Sequence, residues 1–257
     1  QTGSDPWAVR FLRMIDMAND SGLFHDEPGP GLLPLYEAKL FWHFDHRFSS
    51  YEFEARSSGR GLADMPLECY ENPLYRPQPR YWVSNSEVHA RLEGKWTRKW
   101  LLAFRDITSA KLLRTAVFSL LPIVGVGHTA PLMLVPEACL APVVACLAGC
   151  ACSLAFDYLA RQKVSGHMTY VVLRQLAVLP PDAYTAADLL FIVPRVVELT
   201  YTAWDIKAFA DDVWREGNDA LRQALQQQWE ANRGETGGHE WDPPEWANLP
   251  PSPPVER

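Results

Sequence analysis

Three groups of residues have types and spacings that could do chemistry. Asn72-Pro73-Leu74-Tyr75 puts a side-chain amide three positions before an aromatic ring. That pair can hydrogen-bond the amino edge of a base taken out of its stack and cover the face of that base. His43, Asp45 and His46 are potential metal ligands. Arg98, Lys99, Arg105, Thr108, Arg114, His128, Arg161, Lys163 and His167 gather at the ends of expected elements. Positive charge and hydroxyl donors placed in loops can hold phosphates and read base edges.

The first two groups carry little. A base-modifying site at Asn72 needs a Gly-rich turn between a strand and a helix to cradle its cofactor. Gly29-Pro30-Gly31 and Gly59-Arg60-Gly61 lie in loops with no helix start behind them, and Gly125-Val126-Gly127 comes after Asn72, between strands. No catalysis is expected there. Residues 41–48 alternate like a strand, which puts His43 and Asp45 on one face and His46 on the other, so three ligands do not converge. The cysteines Cys69, Cys139, Cys146, Cys150 and Cys152 are odd in number. Cys139, Cys146 and Cys150 fall at i, i+7 and i+11, the spacing of core thiols on one helix face. No Ser-His-Asp or Cys-His signature is present, and Gly127-His128 lacks the elbow context of a hydrolase.

The elements that must hold the third group follow from periodicity. Residues 6–19 carry Phe11, Met14, Ile15 and Ala18 at helical spacing and predict a short helix. A Gly- and Pro-rich loop follows, then the alternating strand over 41–48, then a polar, Pro-bearing loop over 56–80. "RYWVSNSEVHARLE" predicts a short strand running into a helix capped near Ser84 or Ser86. "KWLLAFRDIT", "RTAVFSLLPIV" and the end of "GVGHTAPLMLV" read as strands. The uncharged segment 138–156 reads as a buried helix rather than a membrane span, being rich in Ala and Cys and holding Pro142. After it come a Gly loop, a short helix, a strand ending at Pro180-Pro181 and a helical region in which Pro194 should force a break or kink. A polar helix and a Pro-rich acidic end close the chain. Strands and helices of mixed order predict an α+β fold, a small mixed sheet with packed helices.

The formal net charge is −7 over 257 residues, which looks wrong for a nucleic-acid partner until it is divided by position. Residues 1–208 hold 20 Lys and Arg against 21 Asp and Glu, and residues 209–257 hold 4 against 10. Residues 56–114 hold 11 against 6. The acidity belongs to the carboxyl-terminal part, and the middle of the chain is able to face phosphates. The amino end shows no basic start followed by an apolar stretch, so no signal peptide is expected. The chain starts like an excised fragment, and a cytoplasmic location is expected.

Several strings occur together in a recognisable order: "RFLRMIDMANDSGLF", "LPLYEAKLFWHFDHRFSSYE", "PRYWV", "WLLAFRDITSA…RTAVFSLLPIVGVGHTAPLML", "FDYLARQKVSGHMTYVVLRQLAVLPP" and "VVELTYTAWDIKAFADD". They resemble the region that follows the catalytic domain in large adenine-specific DNA methyltransferases of type IIG restriction–modification and of the BREX and DISARM phage-defence systems. The resemblance covers roughly residues 7–240, and its FRDIT and ARQKV strings are specific. It implies a fold similar to the target recognition domains of restriction–modification specificity proteins. It also implies a role in selecting the DNA sequence to be methylated, with duplex DNA and a methyltransferase catalytic domain or subunit as partners, other defence-system proteins besides, and no membrane. On that reading residues 1–56 connect to an absent catalytic domain, 57–208 form the recognition domain, and 209–257 form a polar helix and an acidic tail. The chain departs from the family in lacking the S-adenosylmethionine loop and Asn-Pro-Pro-Tyr. No cofactor is therefore expected in this chain, and S-adenosylmethionine is expected in the missing catalytic domain. Lys111-Leu112-Leu113 also stands where the family more often carries polar residues. The rival expectation is a non-catalytic protein-interaction scaffold of a defence complex.

Overall fold

The computed structural model describes residues 5–53, 62–63 and 65–235, with side chains as far as Asn232. In chain order the described elements are β1 (Arg10–Leu12), β2 (Leu32–Tyr36), α1 (Leu67–Glu71), β3 (Trp82–Ser84), α2 (Asn85–Leu92), β4 (Trp100–Phe104), β5 (Phe118–Pro122), β6 (Gly125–Val126) and β7 (Leu132–Leu134). Six helices follow: α3 (Ala141–Ala151), α4 (Leu154–Arg161), α5 (Tyr170–Leu173), α6 (Ala186–Thr200), α7 (Lys207–Glu216) and α8 (Asp219–Glu235). The fold is α+β, as the sequence predicts.

A four-stranded antiparallel sheet in the order β1-β7-β4-β5 holds the centre, and a second sheet in the order β3-β2-β6 pairs β2 in parallel with β6. Every residue of β4 and β5 is buried. Their sequences run apolar without alternation because helices cover what the sheet would otherwise expose. Trp100 on β4 meets Phe209 of α7 edge-on at 5.1 Å, and Phe118 on β5 meets Phe156 of α4 at 5.7 Å. One hydrophobic core runs from Trp7 to Leu225. Gly149 of α3 lies against α6: a methyl group there would come within 3.1 Å of Ile192 and 3.2 Å of Val196. That closeness explains why small residues fill this helix.

Several expectations need correction. Residues 6–19 do not form a helix. The Asp5 carboxylate takes the amide protons of Trp7 and Val9, Ala8 adopts a φ of 46°, and residues 10–12 pair with β7. Residues 41–48 are not a strand. Trp42 and Asp45 exchange backbone hydrogen bonds across a tight turn with Phe44 at a φ of 61°. The segment 138–156 is two helices rather than one: the chain breaks at Ser153, whose hydroxyl caps the Phe156 amide at 3.1 Å, and α4 leaves α3 at 54°. Among the described residues no single helix is long and apolar enough to cross a membrane. Cys146 and Cys152 are buried and free, and burial pushes each thiol up to about 12. No strand precedes Pro180-Pro181, and α6 continues through Pro194 without a break. The 56–80 loop contains the short α1, and its residues 56–61 and 64, like the acidic end after 235, lie outside the described residues.

Candidate nucleic-acid interface

The carboxyl end of β4 runs straight into Arg105, Asp106 and Ile107, and three distant segments close around Asp106. Its amide donates to the Thr129 carbonyl at 2.9 Å, and its carbonyl accepts from the Met168 amide at 2.7 Å. The Thr108 amide donates to the Gly166 carbonyl at 3.1 Å, and Ile107 bridges to His167. FRDIT is thereby tied on one side to Thr129, directly after GVGH, and on the other to VSGHM. The buried Asp106 carboxylate faces two outward side chains, Arg13 at 3.7 Å and His167 Nδ1 at 3.4 Å, which are 53% and 60% exposed. Arg13 also lies over the Tyr170 ring, which stacks on Phe11 at 4.6 Å. His128 Nδ1 accepts from the Met17 amide at 3.0 Å, which fixes the GVGH turn against the amino-terminal segment.

The loop that continues from FRDIT, residues 108–116, is braced from α4. Asp157 Oδ1 accepts from the amides of Thr115 at 2.7 Å and Ala116 at 2.9 Å. Its other oxygen accepts from Arg161 Nε at 2.8 Å. The Arg161 guanidinium then donates to the carbonyls of Ala110, Leu112 and Leu113 at 3.1, 2.9 and 2.5 Å. Thr108 is buried, its hydroxyl spent on the Thr115 carbonyl at 2.6 Å. Arg114 donates to the Cys152 carbonyl at 3.3 Å. Burial acts to raise the Asp157 pKa, but the Ala116 amide, the Arg161 guanidinium and the Thr115 amide outweigh it and leave the carboxyl below its ordinary value.

The remaining members of the group do not join this corner as free donors. Arg105 is turned inward: two of its nitrogens donate to the Phe41 carbonyl, and its guanidinium lies 4.5 Å from the Trp42 ring centre. Burial draws its pKa down to about 10. Its partner is thus a carbonyl and an aromatic face, not the neighbouring Asp106 carboxylate. Arg98 and Lys99 stand at the opposite end of β4. Arg98 is clamped by Asp212 at 3.1 Å, Glu216 at 2.8 Å and the Cys139 carbonyl at 2.8 Å. Lys99 lines a separate cleft of about 500 Å³ with Arg76 and His89. Lys163 is exposed beside Gln175 at 3.3 Å. Arg13 and Asp157 are the residues that sequence reading passed over. The i, i+4 spacing of Asp157 and Arg161 was the available signal, and nothing local marked Arg13.

The other two groups are absorbed by the fold. His46 Nε2 pairs with Asp205 at 2.8 Å, while Asp45 accepts from the Tyr70 hydroxyl at 2.6 Å. Among the described residues no three His, Cys, Asp or Glu side chains could hold a metal ion. Asn72 gives its side-chain oxygen to the Leu74 amide at 3.0 Å, and the Tyr75 hydroxyl donates to Glu52 at 2.7 Å. Neither group is offered to a base.

His43 provides a pH test of this region. Both its ring nitrogens are buried without a hydrogen-bond partner. Burial, with Arg114 and Arg105 nearby, draws its pKa from 6.5 to about 4 against the opposing pull of Asp157. Between those values the unfolded chain takes up a proton that the folded one refuses, so stability falls as pH drops from 6.5 to about 4. Denaturant midpoints across that window should fall in the native protein and stay flatter in His43→Phe. Parallel slopes for the two proteins would show that His43 is protonated in the fold.

No family model matches the chain, and no curated protein matches it either.

Proposed function

We propose that this chain is a DNA target-recognition region that works with an adenine-specific DNA methyltransferase catalytic domain or subunit, in restriction–modification or phage defence. S-adenosylmethionine belongs to that partner, and the chain performs no catalysis of its own. One observation carries the reading: of the strings on which the resemblance rests, FRDIT is hydrogen-bonded both to Thr129, directly after GVGH, and to the VSGHM end of ARQKVSGHM, distant segments that meet around Asp106. Such assembly of loops at the end of a sheet is how recognition surfaces are built.

The corner is also suited to an anion. Residues 100–175 carry six Lys and Arg against three Asp and Glu. Asp106 and Asp157 are buried in pairs with cations. Arg13, Lys111, Lys163 and His167 reach solvent. In this reading Lys111 and Lys163 contact phosphates, while Arg13 and His167, oriented by Asp106, take the base-reading place. Arg98, Arg105 and Thr108 serve as structural supports, and Arg114, His128 and Arg161 hold the loops.

A second reading, a protein-interaction scaffold, draws on exposed apolar side chains such as Phe191 and Leu154. Duplex binding separates the two. Binding of the full chain to duplex DNA, followed by fluorescence anisotropy, should weaken steeply with salt as counterions are retained on the phosphates. Lys163→Ala should lower affinity for all sequences alike and reduce the slope of log affinity against log salt by about one. Absence of salt-dependent duplex binding would favour the scaffold.

A further inference from the structure

Between Thr108 and Thr115, joined by a 2.6 Å hydrogen bond, the chain loops through the exposed residues Lys111-Leu112-Leu113. Leu113 is 84% exposed, and Leu112 is exposed beside it. Two adjacent leucines in water at a loop tip cost free energy, and loops ordinarily place polar residues there. The tip is also held rigidly. One guanidinium, that of Arg161, binds the carbonyls of Ala110, Leu112 and Leu113. Asp157 anchors Arg161 and grips the loop's returning limb at Thr115 and Ala116.

We propose that this tip is a wedge for duplex DNA, with Leu113 leading and Leu112 beside it, entering between base pairs and partly unstacking them. The inference rests on the DNA-recognition reading above and adds the mechanical element that the reading lacks. Charge selects the occupant. Lys111 reaches solvent beside the leucines and Arg161 lies beneath them, while Arg114 is half-buried and bonded to the Cys152 carbonyl. Asp157, which anchors Arg161, is buried and accepts from Thr115, Ala116 and Arg161. An apolar tip with Lys111 beside it and Arg161 beneath it, and with no Asp or Glu in residues 107–116, suits a partner that is apolar in its interior and anionic outside. A base stack between two phosphate backbones has that form, and apolar side chains between cationic residues are how proteins unstack duplex steps. An enzyme that works on a base must take it out of the stack, and a step opened by a neighbouring wedge lowers the cost of doing so.

The test compares duplexes of one sequence that are fully paired or contain a single abasic site, where unstacking is already partly done. The full native chain should bind the abasic duplex about tenfold more tightly than the paired one. Leu113→Ala, at an exposed position where the fold has nothing to lose, should bind the two equally, and Lys111→Ala should weaken both while keeping their ratio. If Leu113→Ala keeps the native preference, or the native chain has none while still binding DNA, the wedge is overturned and the DNA reading stands. If the native chain binds neither duplex, the DNA reading itself fails and the wedge with it.

Discussion

Arg47→Met is expected to destabilise the protein by about 3–5 kcal/mol, the cost of emptying a buried charged network of one of its members. Arg47 is 1% exposed. Its guanidinium donates to the carbonyls of Cys69 at 3.2 Å, Tyr70 at 3.3 Å, Asn72 at 2.9 Å and Thr202 at 2.7 Å, and lies over the Tyr70 ring. These four carbonyls come from two segments that share no other strand or helix. Burial lowers the Arg47 pKa, and Asp205 and Asp45 act against that fall. Methionine restores most of the volume but none of the donors, so the carbonyls of Cys69, Tyr70 and Thr202 lose the guanidinium, while that of Asn72 keeps the Tyr75 amide at 3.0 Å. Arg47→Lys should be intermediate, because one ammonium cannot span four carbonyls with the reach of a planar fork. Chemical denaturation checks both. A loss under about 1 kcal/mol for Arg47→Met, the net worth of one ordinary hydrogen bond, would mean that the carbonyls find other donors. Amide exchange over residues 69–75 should quicken in step with the loss, since Arg47 binds three carbonyls of that stretch.

The same residue explains why Asn72-Pro73-Leu74-Tyr75 misleads. As a string it offers an amide and a ring to a base. In the fold its backbone is a ligand for Arg47, and the Pro73 carbonyl accepts from the Trp204 amide at 3.1 Å. No local pattern announces partners more than 100 positions away. Where the determinants are local, the sequence was readable. Apolar runs of β-forming residues marked β4, β5 and β7, and Ser84 does cap α2, its hydroxyl accepting from the Ser86 amide at 3.3 Å. Where a distant partner decided the outcome, periodicity misled. Residues 41–48 alternate, but His46 is drawn to Asp205 and Arg47 to Thr202, and those commitments replace a strand with a turn.

The candidate site divides along the same line. Arg98, Arg105 and Lys163 are equivalent as charges in a sequence. Asp212 and Glu216 from α7 take the first, the Phe41 carbonyl takes the second, and only the third remains in solvent. Position along β4 matters as well, since one end holds Arg98 and Lys99 and the other holds the Asp106 corner. A count of local charge cannot separate the two ends of a strand.

Asp157→Ala is the second large effect expected, at about 2–6 kcal/mol, because it strips the acceptor from two buried amides at about 1–3 kcal/mol each. The two are Thr115 and Ala116, both at the base of the leucine-tipped loop. Asp157→Asn should cost less, since a neutral amide oxygen still accepts from both while the charge pair with Arg161 is lost. The native carboxyl is held below its ordinary pKa of 3.8, so its contribution is complete above that value and is lost as pH falls through the lower, folded one. The difference in stability between native protein and Asp157→Ala should therefore be constant from neutral pH down to about 4 and shrink only below it. Loop release should also reach function: with Arg161 no longer anchored, the tip cannot hold Leu113 forward, and the preference for an abasic duplex should fall in Asp157→Ala at temperatures where the variant is still folded. Arg161→Ala isolates this, removing the three carbonyl contacts while leaving the two amides on Asp157. A variant pair that loses stability as stated yet keeps the native duplex preference would separate the clamp from the wedge and leave Asp157 a purely structural carboxylate.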